Sequence, residues 1–294
     1  MKNKIRYTTG EVILILFVIA IGLIVAYPLY YVLVASFSDP YQVYAGKTFF
    51  HPVGMTLRGY KSVFSDSNLL NGFLNSVKYT VLGTMYSVGL LYLTAYPLSF
   101  KDLPGRKLIS IFFIITMYFG GGLIPTYLIV KQTGLINTTA AIIIPGGIAV
   151  GNMIIMRSYF ENSIPRDMME AAKIDGAGYW RIFVQVIIPL SKPIMAVMVV
   201  YSMVAYWNDW FTALIYLPGQ AKAPLPLVLR NILIRSSVTA KQSSTISGGY
   251  AELNKITEMI KFSSMIVAAF PMLAIFPFVQ KYFEKGIMAG AVKG

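Results

Sequence analysis

The sequence predicts an all-α membrane protein of about six transmembrane helices, and two observations carry that expectation. Hydrophobic residues fill 56% of the 294 positions and charged residues only 13%, where a soluble domain has roughly 45–50% and 25%. The apolar residues also gather in continuous runs near twenty residues, the length that crosses roughly 30 Å of hydrocarbon. Backbone polar groups cannot stay unpaired there, so each run is either a helix or a strand of a closed barrel. Barrel strands alternate apolar and polar residues over about ten positions. These runs do not alternate, so they read as helices.

The first span covers residues 12–34, behind Lys2, Lys4 and Arg6. A cleavable signal has an apolar core of only about 7–15 residues and then a small-residue site. This run is longer and lacks such a site, so it is expected to remain as a helix. The second span covers 75–100 and ends in a basic turn with Lys101, Arg106 and Lys107. The third, 108–130, contains Gly120-Gly121-Gly122 and Pro125, residues that break or kink a helix; Gly121 is therefore a gate candidate, with plain helix packing as the other reading. The fourth covers 138–156, the fifth 193–217 and the sixth 259–279. With no repeat, linker or separate soluble segment, residues 1–294 read as one transmembrane domain.

The basic residues set the orientation. Segments 1–11, 101–107, 157–192 and the tail after 280 hold 14 Lys and Arg, against 9 in segments 35–72, 131–137 and 217–259. Cytoplasmic loops carry the excess, which puts both termini in the cytoplasm. The outer loops 35–72 (with Pro40, Tyr41, Tyr44, His51 and Pro52) and 217–259 (with Pro218, Pro224, Pro226, Ser243, Ser244, Gly248 and Gly249) are either connectors or a surface for an extracellular partner.

Several classes of function are excluded. There is no cysteine and a single histidine, His51, so neither thiolate nor multi-histidine metal sites can form. The net charge of +13 has no soluble basic domain to carry nucleic acid, and retained cytoplasmic charge accounts for it. The spans show no paired carboxylates or nucleophile motif of a membrane enzyme. The nearest approach to a phosphate-binding loop is Gly46-Lys47-Thr48, where Tyr41 stands in place of the required first glycine. No ATP, magnesium or other cofactor site is expected in this chain.

Residues 157–192 are the informative part. Ser163 and Pro165 open a helix with Asp167 in its first turn, where the dipole favours an anion. Met168, Ala171, Ala172 and Asp175 recur at helical spacing on one face, and Gly176 stops the helix. A second helix begins near Tyr179 with an apolar stripe of Trp180, Phe183, Val184 and Ile187; Pro189 and Pro193 break the chain before the fifth span. Two readings stand on these features alone. One is a docking element whose alanines allow close backbone approach; the other is an amphipathic elbow lying on the membrane surface.

Glu170-Ala171-Ala172, three residues, Gly176, nine residues, Val186, one residue and Ile188-Pro189 together resemble the signature loop of binding-protein-dependent ABC importer permeases. Val186 and Ile188 replace the usual isoleucine and leucine with residues of similar size. The tail from Gln280-Lys281-Tyr282-Phe283 through Gly294, Asn75-Ser76 and Trp207-Asn208-Asp209 are similar to the maltose-type carbohydrate branch, and within it to importers of oligosaccharides or polysaccharide fragments, such as the alginate importer. The resemblance implies the transmembrane domain of a type I ABC importer. It implies a coupling helix in which Glu170, Ala171, Ala172, Asp175, Gly176, Val186, Ile188 and Pro189 meet an ATPase. It also implies a sister permease, two ATP-binding subunits holding ATP and magnesium, an extracytoplasmic sugar-binding protein and a carbohydrate substrate.

Polar residues in the spans are costly and raise a substrate-pathway reading. Lys78 and Lys261 either snorkel to the interface or favour an acidic sugar. Asn208, Asp209 and Trp210 either hydrogen-bond and stack on a sugar or anchor at the interface. An ion-coupled secondary transporter is the competing class. Such proteins place acidic or histidine relays near the midplane and often carry repeats, and this sequence shows almost none of the former and no repeat.

Overall fold

The computed structural model describes residues 8–242, 260–275 and 277. Lys2, Lys4 and Arg6, the loop residues Ser243, Ser244, Gly248 and Gly249, the end of the sixth expected span and the tail motif 280–294 lie outside the described residues. Every regular element among the described residues is helical, as the apolar runs required.

Two units compose the chain: residues 1–67 with 229–269, and residues 68–228 with 270–294. In the first unit, α1 (Thr9–Ser36) is apolar on every side, and its side chains are exposed from Val12 to Tyr30. A helix without a polar face is solvated by lipid, not water. Only its end is covered: Val34, Ala35 and Ser36 are buried, and the Ser36 and Tyr60 hydroxyls lie 2.8 Å apart. The expected outer loop 35–72 contains two further helices, α2 (Pro40–Tyr44) and α3 (Arg58–Ser65). Asp39 caps α2 by accepting the Tyr41 N–H at 2.8 Å, a local signal that the loop reading passed over.

The second unit opens on α4 (Ser67–Ser99), which begins eight residues before the expected start at 75. The third expected span is a bent pair, α5 (Arg106–Tyr118) and α6 (Leu123–Gln132), turned through 115°. Gly122 supplies the bend with φ +84°, in the region that favours glycine. Gly121, the residue singled out from sequence, has room for a side chain, its nearest neighbour being Pro125 at 3.6 Å.

The fourth expected span, 138–156, is not one helix. It is a single turn, α7 (Ala140–Ile143), then a break, then α8 (Val150–Ser163). Pro145, Gly146 and Gly147 cause the break, and glycine at 147 permits contact with the Tyr86 ring, which would lie 2.5 Å from a Cβ. Next come α9 (Arg166–Ile174), α10 (Tyr179–Leu190) and α11 (Lys192–Asn208), with α10 and α11 bent by 81°. The fifth expected span, 193–217, therefore stops at Asn208; Asp209 is extended, and α12 (Phe211–Tyr216) follows. Past it, the segment expected as an outer loop holds α13 (Leu225–Gln242), and the sixth span is seen as α14 (Ile260–Ile275). Among the described residues, α1 and α4 are each long and apolar enough to cross a membrane, and the bent pairs α5–α6 and α10–α11 pass as two more. Of the other two expected spans, the fourth is divided by Pro145, Gly146 and Gly147, and the sixth is described only over Ile260–Ile275.

Candidate functional site

The 157–192 segment is built as a protruding helix on a buried base. Pro165 caps α9 in extended conformation, Asp167 sits in the first turn and Lys173 in the last, charges that complement the helix dipole. Gly176 (φ +77°) ends it: its N–H donates to the Lys173 carbonyl at 3.0 Å, and the Ala177 N–H donates to Ala172 at 2.9 Å. This 5→2 and 6→1 pair is a Schellman cap.

The two alanines divide the work. Ala172 packs with Met169 and Ala177 against the core formed by Tyr96, Phe183 and Ile187, while Glu170, Ala171, Asp175 and Gly176 face outward. Two residues that the sequence placed on one face therefore differ in burial, Ala171 being exposed and Ala172 half-buried. They are adjacent in sequence, and each step around a helix is 100°. The outward side also carries Met168 (47% exposed) and Ile174 (86%). Ile174 was missed from sequence; a large apolar residue at the last turn of an otherwise polar exposed helix is the signal.

The base is anchored to α4. The Tyr96 hydroxyl donates to the Tyr179 carbonyl at 3.0 Å, and the Lys173 ammonium lies 5.5 Å from the Phe100 ring centre and 5.2 Å from that of Tyr179. Of the expected second stripe, Phe183 and Ile187 are buried, while Trp180 and Val184 are exposed. A π-helical turn at Phe183–Ile187 shifts the register. Pro189 lies two residues past its end and has no N–H to give to Gln185, which favours the wider turn. Val186 and Ile188 pack on the core, and Pro189 is exposed. At the elbow, Ser191 is fully buried; its hydroxyl lies 2.6 Å from the Ile187 carbonyl and 2.7 Å from the Tyr92 hydroxyl. Thus a side chain of α4 holds the joint between the protruding segment and α11.

A second feature lies between α4, α8 and α11: a cavity of about 490 Å³, within the roughly 300–1,000 Å³ of ligand sites. Ser87, Asn152, Tyr201, Ser202, Asn208 and Asp209 line it. Ser87 and Ser202 are each only 4% exposed. On α4 the Thr94 hydroxyl bonds back to the Leu90 carbonyl at 2.7 Å, whereas the buried Thr80 and Thr84 hydroxyls have no partner among the described residues. Tyr206 forms a fixed wall: its hydroxyl donates to Ile143 at 3.1 Å, and Gly83 lets its ring close in, since a Cβ there would meet it at 2.7 Å. Among the described residues, Asp209 is the only charged one lining the cavity, and it also accepts the Thr212 N–H at 3.0 Å.

Of the pathway candidates, then, Asn208 and Asp209 share this cavity. Lys78 is exposed on α4 and Gly121 lies at the α5–α6 bend, neither of them lining it. Trp210 packs beside Tyr79, Ile142 and Ala213, and Trp207 is buried edge-on to Phe73 at 5.9 Å. Lys261, in the first unit, lies 5.1 Å from the Phe262 ring centre. Asn75 and Ser76 pin the chain ahead of α13: Asn75 donates to the Ala221 carbonyl at 2.9 Å, and Ser76 accepts the Leu225 N–H at 2.8 Å.

Residues 71–289 match the family model of binding-protein-dependent transport system inner membrane components. The chain belongs to this family. It is a permease of an ABC importer, all-helical and seated in a membrane. Among its relatives is the protein LplC of Bacillus subtilis (strain 168), 38% identical across all of this chain and 98% of LplC. The polygalacturonan/rhamnogalacturonan transport system permease protein YtcP of the same organism is 37% identical across the full length of both. A crystal structure of a bacterial ABC transporter involved in the import of the acidic polysaccharide alginate contains a chain that superposes with a TM-score of 0.83 at 28% identity, over 95% of this chain and 99% of that one.

Proposed function

We propose that this permease carries an oligosaccharide or polysaccharide fragment across the cytoplasmic membrane of a bacterium, with both termini inside. It forms one transmembrane domain beside a sister permease, with two ATP-binding subunits on the cytoplasmic side and a sugar-binding protein outside. The observation that carries this reading is the outward face of α9, where Ala171, Glu170 and Ile174 project from a base locked to α4 and α11. A small residue beside an exposed apolar one suits insertion into a cleft of an ATPase. Closure of the paired ATPases would push the loop, and the Tyr92–Ser191 joint would pass that displacement to α11, a wall of the polar cavity. Hydrolysis, with its ATP and magnesium, belongs to the partner chain. Carbohydrate as substrate draws support from the relatives' names and from the lining of hydroxyls, amides and Tyr201, which suits sugar hydroxyls.

The test is purification of the tagged permease from its native membranes, with mass spectrometry of what accompanies it, for wild type and for Ile174→Asp. Ile174 is 86% exposed, so the variant is expected to fold. A wild type that retains a second permease and an ATPase, with the variant losing only the ATPase, is the expected result. A stable variant that keeps the ATPase would show that the α9 face does not make the contact.

A further inference from the structure

A basic cavity of about 540 Å³ opens at the turn between α4 and α5, lined by Lys101, Arg106, Lys107 and Arg157 with Ser110 and Leu108. Two of the cations are fixed. Arg106 donates through Nε to the Leu98 carbonyl at 2.9 Å, Arg157 donates to the Ser110 hydroxyl at 3.0 Å, and both pair with Glu161. Lys101 and Lys107 are exposed and have no partner among the described residues. Four cations against the one carboxylate leave a charge of +3 at the site; counting Asp102, which sits in the same turn but lines the neighbouring cavity, it is +2.

Retention of positive charge on the inner side requires only that cations lie there, not that they converge. Here two held guanidiniums and two free ammoniums surround one concavity, and Leu108 beside it is 75% exposed on a helix whose next turn shows Phe112 at 64%. Guanidinium forks bind phosphate oxygens in fixed geometry and lysines add mobile charge. An apolar track leaving the same place suits an acyl chain. We propose that this cavity binds the phosphate headgroup of an anionic phospholipid of the inner leaflet, with its chains along α5. Arg157 and Glu161 lie on the last turns of α8, just ahead of α9, so a bound lipid would brace the root of the protruding helix. The inference rests on the orientation proposed above, which puts the 101–107 turn inside. It does not depend on the sugar or on the α9 contact.

The experiment uses the purified importer, with Lys101→Gln/Lys107→Gln and Lys101→Arg/Lys107→Arg beside wild type. Each is placed in phosphatidylcholine nanodiscs with or without phosphatidylglycerol, and retained lipid is counted by native mass spectrometry after release. Wild type is expected to keep phosphatidylglycerol. The glutamine variant should bind it about 25-fold more weakly, since each lysine near an anionic leaflet contributes about a factor of five, and the arginine variant should restore it. Equal unfolding temperatures of all three in phosphatidylcholine alone would show that the substitutions leave the fold intact. Equal retention by wild type and the glutamine variant would overturn the proposal. So would displacement of phosphatidylglycerol by millimolar inorganic phosphate, which would make the site one for a soluble anion. Neither result would touch the pull-down with Ile174→Asp.

Discussion

At the scale of single residues, Gly176 shows most plainly what a backbone angle contributes. A side chain there would meet nothing within 4 Å, so the cost of Gly176→Ala is the left-handed backbone alone, about 1–2 kcal/mol. Gly176→Asn should lose less, because asparagine tolerates that region. Thermal unfolding in detergent and capture of the ATPase should therefore rank glycine above asparagine above alanine; alanine equal to glycine would mean that the cap relaxes. Glu161 makes a second case, outside the spans. Burial pushes its carboxyl up, but hydrogen bonds and charge from Arg157 and then Arg106 outweigh burial, so it ionises below its ordinary value of 4.5. A lowered folded-state pKa gives stability that is fully present above 4.5 and is lost as pH falls through the folded value. Glu161→Gln should be less heat-stable than wild type at pH 7, and the gap should close as the pH falls below 4.5 and through the folded value. A gap that stays constant with pH would show that the ion pairs contribute nothing.

At the scale of elements, the sequence carried the protruding segment well, because its signals are local: a proline cap, an acid in the first turn, a glycine stop. It carried the spans less well, because hydrophobic runs record solvent and not continuity. Residues 138–156 and 193–217 are largely apolar, yet Pro145-Gly146-Gly147 and Asp209 interrupt the helices within them. The joint at Ser191 was not legible at all, since its partner Tyr92 is 99 residues away. That joint yields its own prediction. Tyr92→Phe and Ser191→Ala each remove the same buried hydrogen bond, worth about 1 kcal/mol, so the double variant should lose clearly less than the sum of the two. If the bond transmits the stroke, ATP hydrolysed per sugar imported should also rise in each single variant. Additive losses with unchanged coupling would reduce the joint to ordinary packing.

For the molecule as a whole, charge is distributed in a way that bears on what it carries. The permease has 25 basic residues against 12 acidic, yet among the described residues the polar cavity beside α11 is lined by one carboxylate and no cation. At an effective dielectric constant near 20, a uronate held about 6 Å from Asp209 would be repelled by roughly 3 kcal/mol. Bulk composition thus gives no guide to this site, and the lysines that suggested an acidic sugar do not line it. Asn preserves the hydrogen bond that Asp209 accepts from Thr212 while removing the charge. Asp209→Asn should therefore leave uptake of a neutral oligosaccharide within about twofold and raise that of a uronate oligosaccharide of equal length at least tenfold, part of the 3 kcal/mol being screened by water. Competition between the two sugars in proteoliposomes containing the whole importer reads the ratio directly. A ratio that does not move would mean that the acid never approaches the solute. In that case the sister permease would hold the sugar, and Asp209 would serve only to cap α12.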